Sequence, residues 1–164
     1  MSTVVLYPDP RLTRAATQRP VDDGLLGTGT QLHATAEALL AYGLAAAHIG
    51  QVEPVVVVSV AADRAKRDYL LLYNPEVTAV AAETAAGTEG SVSMPGVEID
   101  IARPVWAAIA FDDAQGHRQA LRLKGWPARI ALHEIEQLQG RFFLEHLSRL
   151  KRDMLVRKWR KRPG

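Results

Sequence analysis

Apolar and polar positions alternate with a helical period in three stretches of this chain and with a strand period in most of the rest. Leu32, Ala36, Leu39 and Leu40 fall at helical spacing. They predict a helix that begins at Thr28 or Thr30, either of which can cap it, and stops at Gly43. Residues 11–27 show no clear period, and Tyr7-Pro8-Asp9-Pro10 reads as extended or turn-like, because proline restricts itself and its predecessor. Pro54 to Val60 is a continuous β-branched run and predicts a buried strand. Tyr69 to Tyr73 is a second strand, stopped by an Asn74-Pro75 turn, and Glu76 to Thr84 is a weaker one. Ala85 to Gly96 reads as a loop. Val97, Ile99 and Ile101 alternate with polar residues as in a half-buried strand, and Pro104 to Phe111 gives another. Asp112 to Gly116 is a hairpin loop, from which His117 to Lys124 returns with Leu121 and Leu123 inward. Pro127 opens a second helix ending at Gly140. Ser148 caps a final one with Leu150, Met154, Leu155 and Trp159 on its apolar side. Strands first and the key helix late give an α+β expectation.

Composition narrows the class. A chain of 164 residues, 48% hydrophobic and 23% charged, suits a single globular domain over residues 1–164. No apolar run reaches the roughly 18 residues that a membrane helix needs, and no basic-then-apolar leader opens the chain. The absence of cysteine excludes disulfides and thiolate metal ligands and points to the cytoplasm. Net charge is only +2, but Arg149, Lys151, Arg152, Arg157, Lys158, Arg160, Lys161 and Arg162 crowd the tail against Asp153. Such a run is most often a solvated face, though it can attract phosphate backbones or acidic surfaces. Without interleaved aromatics it is not expected to read nucleic-acid sequence.

The chemistry concentrates in Ala131 to Gly140. This stretch nearly spells H-E-x-x-H, in which two histidines one helical turn apart grip a metal ion and the glutamate serves as base for a bound water. His133 and Glu134 are in place, but Gln137 occupies the second ligand position. An amide oxygen is a weak donor to a first-row metal compared with imidazole. Upstream, Gly43-Leu44-Ala45-Ala46-Ala47-His48-Ile49-Gly50 is dense in small residues, which lets backbone approach something closely.

Three stretches in order, Ala41 to Gly50, Glu89 to Ser93 and His133 to Gly140, resemble the peptide deformylase family motifs G-x-G-L-A-A-x-Q-I-G, E-G-C-L-S and H-E-x-D-H-L-x-G. Leu72-Tyr73-Asn74-Pro75-Glu76, Arg103-Pro104, Ala128-Arg129 and the tail Phe143 to Lys151 are similar to family features as well. The resemblance implies an α+β fold with antiparallel sheets around the central HExxH-type helix, flanked by N-terminal and C-terminal helices. It implies removal of the formyl group from N-formylmethionine of new proteins, with one divalent metal (iron, zinc or nickel). In the family that metal is held by the cysteine and both histidines, with water in the open position. The family's glutamine and the backbone N–H after the cysteine stabilise the oxyanion.

At the chemistry itself this chain departs from the pattern. Ser91 stands for the cysteine, Gln137 for the second histidine and His48 for the oxyanion glutamine, while His133, Glu134 and the Val92 N–H match. Serine does not ionise near neutral pH as a thiol can. The expectation is that no metal is held and that deformylase activity is lost or strongly reduced. A groove for N-terminal peptide segments would remain, formed by Gly43, Leu44, Glu89, Gly90, Trp126 and Ile130, in a binding or regulatory protein. Tyr42 and Arg129 are bulkier or more polar than a methionine pocket invites. The alternative is an active amide hydrolase whose metal is held by His48, His133 and Glu134. His133 and Glu134 also have plainer readings as a hydrogen-bonded core histidine and a buried carboxylate, and Ser91 a remote one as a nucleophile. Glu89 and Arg103 are expected to pair. The family's basic C-terminal helix can dock on the ribosome, and the resemblance extends that partner to the tail here.

Overall fold

The β-branched run becomes the strand on which both layers meet. In the computed structural model, which describes residues 2–162, this strand is β2 (Val55–Ser59), and all five of its residues are buried. Alternate side chains of a strand point to opposite faces. Val55 and Val57 therefore join Leu25, Leu32 and Ala36 of α1 (Asp23–Leu39), whereas Val56 and Val58 join Ala128, Ala131 and Ile135 of α2 (Trp126–Leu138). The two helices cover opposite faces of one antiparallel sheet. Its order is β1-β2-β3-β6-β7, with β1 (Gly43–Ala45), β3 (Tyr69–Val80), β6 (Trp106–Asp112) and β7 (Arg118–Lys124). A separate two-stranded sheet pairs β4 (Thr84–Gly90) with β5 (Glu98–Pro104) in unbroken register from Thr84–Pro104 to Gly90–Glu98. Its apolar face (Ile99 and Ile101) packs with Leu12, Met94, Phe142, Phe143, Leu144 and Val156, the last from α3 (Arg149–Arg160). The architecture is the α+β arrangement expected, with antiparallel sheets around the helix that carries His133.

Four local expectations fail for identifiable reasons. α1 starts at Asp23, not at Thr28 or Thr30, because the Asp22 carboxylate accepts the Leu25 N–H and caps it. It ends at Leu40, which takes a left-handed conformation (φ 53°), and Gly43 begins β1 instead. β3 does not stop at Asn74-Pro75. Asn74 sits at positive φ in a register shift between Tyr73 and Glu76, and the strand runs on to Val80. Ala85 to Gly90 is strand, not loop; only Ser91 to Val97 connects β4 to β5. On α3, capped by Ser148 as expected, the inward side chain is Val156 with Leu155 and Trp159 half-buried. Leu150 and Met154 are 70% and 61% exposed. Among the described residues no helix is long and apolar enough to cross a membrane.

Candidate functional site

α2 enters behind Gly125 and Pro127 and is buried along almost its whole length. Glycine at position 43 lets it approach β1: a Cβ there would lie 2.7 Å from Ile130 Cγ2, 3.0 Å from Glu134 Cγ and 3.0 Å from the Val57 carbonyl oxygen. Between β1, α2 and the end of β4 lies a pocket of about 340 Å³, a size that suits a small ligand. It gathers Gly43, His48, Glu89, Gly90, Ser91, Val92, Trp126, Ile130, His133 and Glu134. Two of the residues singled out above, Leu44 and Gln137, are not in its lining. Leu44 is buried in the core beneath α1.

Gln137 is turned the other way. It is 1% exposed, and its Nε2 donates to the Leu12 carbonyl oxygen at 2.6 Å. Alongside, the Ala16 N–H donates to the Leu138 carbonyl and Ala15 bridges Gln139, so the end of α2 is tied to the N-terminal segment. Ser91 is half-buried, and its Oγ accepts the Ser93 N–H at 3.1 Å in the turn after β4.

His48 is the last but one residue of a 3-10 turn, Ala46–Ile49. Its Nδ1 accepts the Ala45 N–H at 2.9 Å. That bond sets the tautomer: the ring is neutral, with its proton on Nε2. Burial, and then the neighbouring charge of His133, push its pKa down to about 3. The 3.7 Å approach of Nδ1 to Glu134 Oε1 is therefore neither an ion pair nor a hydrogen bond. His48 Nε2 and Glu134 Oε1 are both buried without a hydrogen-bond partner among the described residues. Burial raises the Glu134 pKa to about 7, against the opposing pull of His133.

Glu89 is the hub of a buried charge network. It accepts from Arg103 Nε and Nη2 at 2.7 and 2.8 Å, from Arg129 Nη1 at 2.7 Å, and pairs with His133 Nδ1 at 2.8 Å. The expected Glu89–Arg103 pair is thus present. Burial alone would raise the Glu89 pKa, but the hydrogen bonds from Arg103 and His133 outweigh it and hold the carboxylate at about 2. Burial disfavours a charged His133, yet the carboxyls of Glu134 and Glu89 prevail and raise its pKa. With Nδ1 donating to Glu89, Nε2 is the His133 nitrogen left for another partner. Arg129 does not enter the pocket. It also donates to the carbonyls of Ile101 and Ala85, in a space that Gly87 leaves open.

A metal ion fits this donor set poorly. Of the three family ligand positions only His133 offers an imidazole, Ser91 is held in a turn, and Gln137 faces Leu12. Among the described residues no three His, Cys, Asp or Glu side chains converge on a point that could hold an ion, the set of His48, His133 and Glu134 included. The pocket also holds residues outside every motif stretch singled out above: Thr88 and Glu98 on the sheet side and Arg64 from the β2–β3 loop. Arg64 belongs to no motif, and only its contacts identify it.

Comparison with known proteins covers nearly the whole chain. The model of the polypeptide deformylase family matches residues 1–153. A peptide deformylase-like protein of Agrobacterium fabrum is 41% identical over 140 residues, covering 85% of this chain and 83% of that protein. A peptide deformylase of Rickettsia typhi is 32% identical over 167 residues, covering 97% and 94%. Among solved structures, peptide deformylase from Ehrlichia chaffeensis superposes with a TM-score of 0.90 at 29% identity, over 98% of this chain and 96% of that one. The same enzyme in complex with actinonin gives 0.89 at 30%, over 98% of each.

Proposed function

Because the chain belongs to the polypeptide deformylase family, we propose that it keeps the family's peptide groove, has lost metal-dependent deformylation, and works as a binding or regulatory protein for N-terminal peptide segments. The observation that carries this reading is the orientation of Gln137. Its Nε2 is spent on the Leu12 carbonyl, 125 positions away, which holds the side chain against the N-terminal segment and outside the pocket lining. Regaining a ligand there would require breaking a buried hydrogen bond.

The groove has the parts that binding needs. β1 and β4 are edge strands on either side of the pocket, and an extended peptide can add to such edges through its backbone. Within the pocket, neutral His48 presents an N–H and Glu134 an oxygen, neither of them satisfied by the protein. An unpartnered donor and an unpartnered acceptor suit an amide, whose oxygen would accept from His48 and whose N–H would donate to Glu134. An unmet buried polar atom costs about 1–3 kcal/mol, so a ligand that satisfies both is favoured. The other reading, a hydrolase rebuilt on His48 and His133, would need both imidazoles and Glu134 to converge, and their arrangement gives it no support.

Two measurements on freshly purified protein test the proposal: metal content, and binding and turnover of a formyl-Met tripeptide. The expected result is well under one metal per chain, no turnover, and peptide binding. Stoichiometric iron, zinc or nickel together with turnover would overturn it. The double variant Ser91→Cys/Gln137→His is expected to gain one tightly held divalent ion, since it restores a three-ligand set with an open position.

A further inference from the structure

The mouth of the pocket carries a positive charge that the fold holds in place and leaves unpaired. The Arg64 guanidinium lies 3.7 Å from the centre of the Trp126 ring and 5.9 Å from that of Tyr42, two rings that meet edge to face at 4.9 Å. The backbone beneath it is pinned by Arg67. That residue stacks on Tyr42 at 3.8 Å, donates twice to the Leu40 carbonyl, and donates once each to the carbonyls of Arg64 and Lys66. No salt bridge among the described residues includes Arg64, whereas Arg19, Arg103, Arg118 and Arg129 all have carboxylate partners. A guanidinium spread over aromatic faces is restrained at little cost to its edge N–H groups, which stay available for a bidentate acceptor.

The other charges on the pocket do not answer this one. Glu89 is already shared among Arg103, Arg129 and His133. Glu134 lies buried on the floor beside His48. Glu98 lines the pocket from β5 and, among the described residues, forms no ion pair with Arg64. The apolar wall of Tyr42, Trp126 and Ile130 therefore ends in an unpaired cation.

We infer that Arg64 sets the specificity of this groove, selecting peptides whose first side chain carries a carboxylate over those with an apolar or basic one. The inference rests on the peptide-groove reading above and names the ligand class that the groove takes. The alkyl part of a glutamate side chain would lie along Trp126 and Ile130, with its carboxylate meeting the guanidinium fork.

The test is calorimetric titration of the intact protein with formyl-Glu-Ala-Ser, formyl-Met-Ala-Ser and formyl-Lys-Ala-Ser. The Glu peptide is expected to bind about fivefold tighter than the Met peptide, the range open to a partly exposed charge pair with good geometry. The Lys peptide should bind most weakly. Arg64→Ala should bring Glu and Met peptides to equal affinity, and Arg64→Glu should favour Lys over Glu. Arg64 is exposed, and unchanged melting temperatures would show that both variants fold. Failure of every peptide to bind would overturn the groove reading and this inference with it. Binding with Met at or above Glu, or a Glu preference that survives in Arg64→Ala, would overturn the inference alone.

Discussion

Glu134 and His48 face each other in the pocket floor with opposite responses to pH. The Glu134 pKa is raised from 4.5 to about 7 by burial, so between those values the folded chain holds a proton that the unfolded chain has released. Its contribution is complete below pH 4.5 and is lost as pH rises through 7. The His48 pKa falls from 6.5 to about 3, so between those values the unfolded chain binds a proton that the folded one excludes. That term makes stability fall as pH drops from 6.5 toward 3. Across pH 4.5 to 6.5 the two oppose each other and largely cancel. Glu134→Gln is expected to remove one side: compared with the parent chain it gains stability on going from pH 4 to pH 8, by on the order of 3 kcal/mol. His48→Gln should lose less stability than the parent between pH 6.5 and 4. Urea midpoints measured at each pH check both. Parallel profiles for parent and Glu134→Gln from pH 4 to 8 would show that Glu134 keeps an ordinary pKa.

At the scale of elements, the seating of α2 on β1 depends on Gly43, and glycine has a different role elsewhere in the chain. A methyl group at Gly43 must displace Ile130, Glu134 or the Val57 carbonyl. Gly43→Ala is expected to cost about 1–3 kcal/mol as overpacking and to narrow the pocket. Gly27 sits inside α1 with nothing within 4 Å of a built Cβ. Gly27→Ala should instead stabilise by about 0.5–1 kcal/mol. Thermal denaturation of the two variants decides, and equal shifts of the same sign would refute the distinction. The same residues explain what the sequence concealed. Thr28 and Gly29 belong to the buried face of α1, and Gly29 leaves room for the Tyr73 ring, so the apolar stripe is interrupted in the first half of the helix and its start at Asp23 is hidden. β4 is exposed at most positions, and its one fully buried residue is the charged Glu89, so no alternation betrays it. β2 was legible because a strand covered on both faces needs only a β-branched run. In the site, the spacing of His133 and Glu134 announced a helix face, but nothing near Gln137 announced Leu12 as its partner. Arg64 carries no sequence signal, because stacking on Trp126 leaves no motif.

Across the whole molecule, the Glu89 network ties the small sheet to the helix that bears the pocket. Arg103 and Glu89 come from β5 and β4, Arg129 and His133 from α2, and Arg103 reaches on to Glu136 at 3.1 Å. Glu136 in turn meets His146 at 2.9 Å, beyond the end of α2. Every charge at the centre is buried, so the interaction holds only while each has its counterpart. Removing one partner from such a set typically costs about 3–5 kcal/mol, because the others remain buried and uncompensated. Glu89→Gln preserves the shape but leaves Arg129 without a carboxylate and Arg103 with Glu136 alone, and it takes from His133 the carboxylate that orients its ring. It should therefore destabilise by that amount at pH 7 and loosen the β4–β5 sheet against α2. The pH dependence supplies an independent readout. The Glu89 pKa is depressed from 4.5 to about 2, so its contribution is full above pH 4.5 and is lost as pH falls toward 2. Acid should unfold the parent chain steeply through that window, while Glu89→Gln, already lacking the term, should show a shallower slope there. Urea unfolding at pH 7 and through the acid window measures both. A Glu89→Gln protein within about 0.5 kcal/mol of the parent at pH 7, the scatter of an ordinary surface substitution, would mean that the small sheet is held to α2 by apolar packing and that the buried charges only fill the space between them.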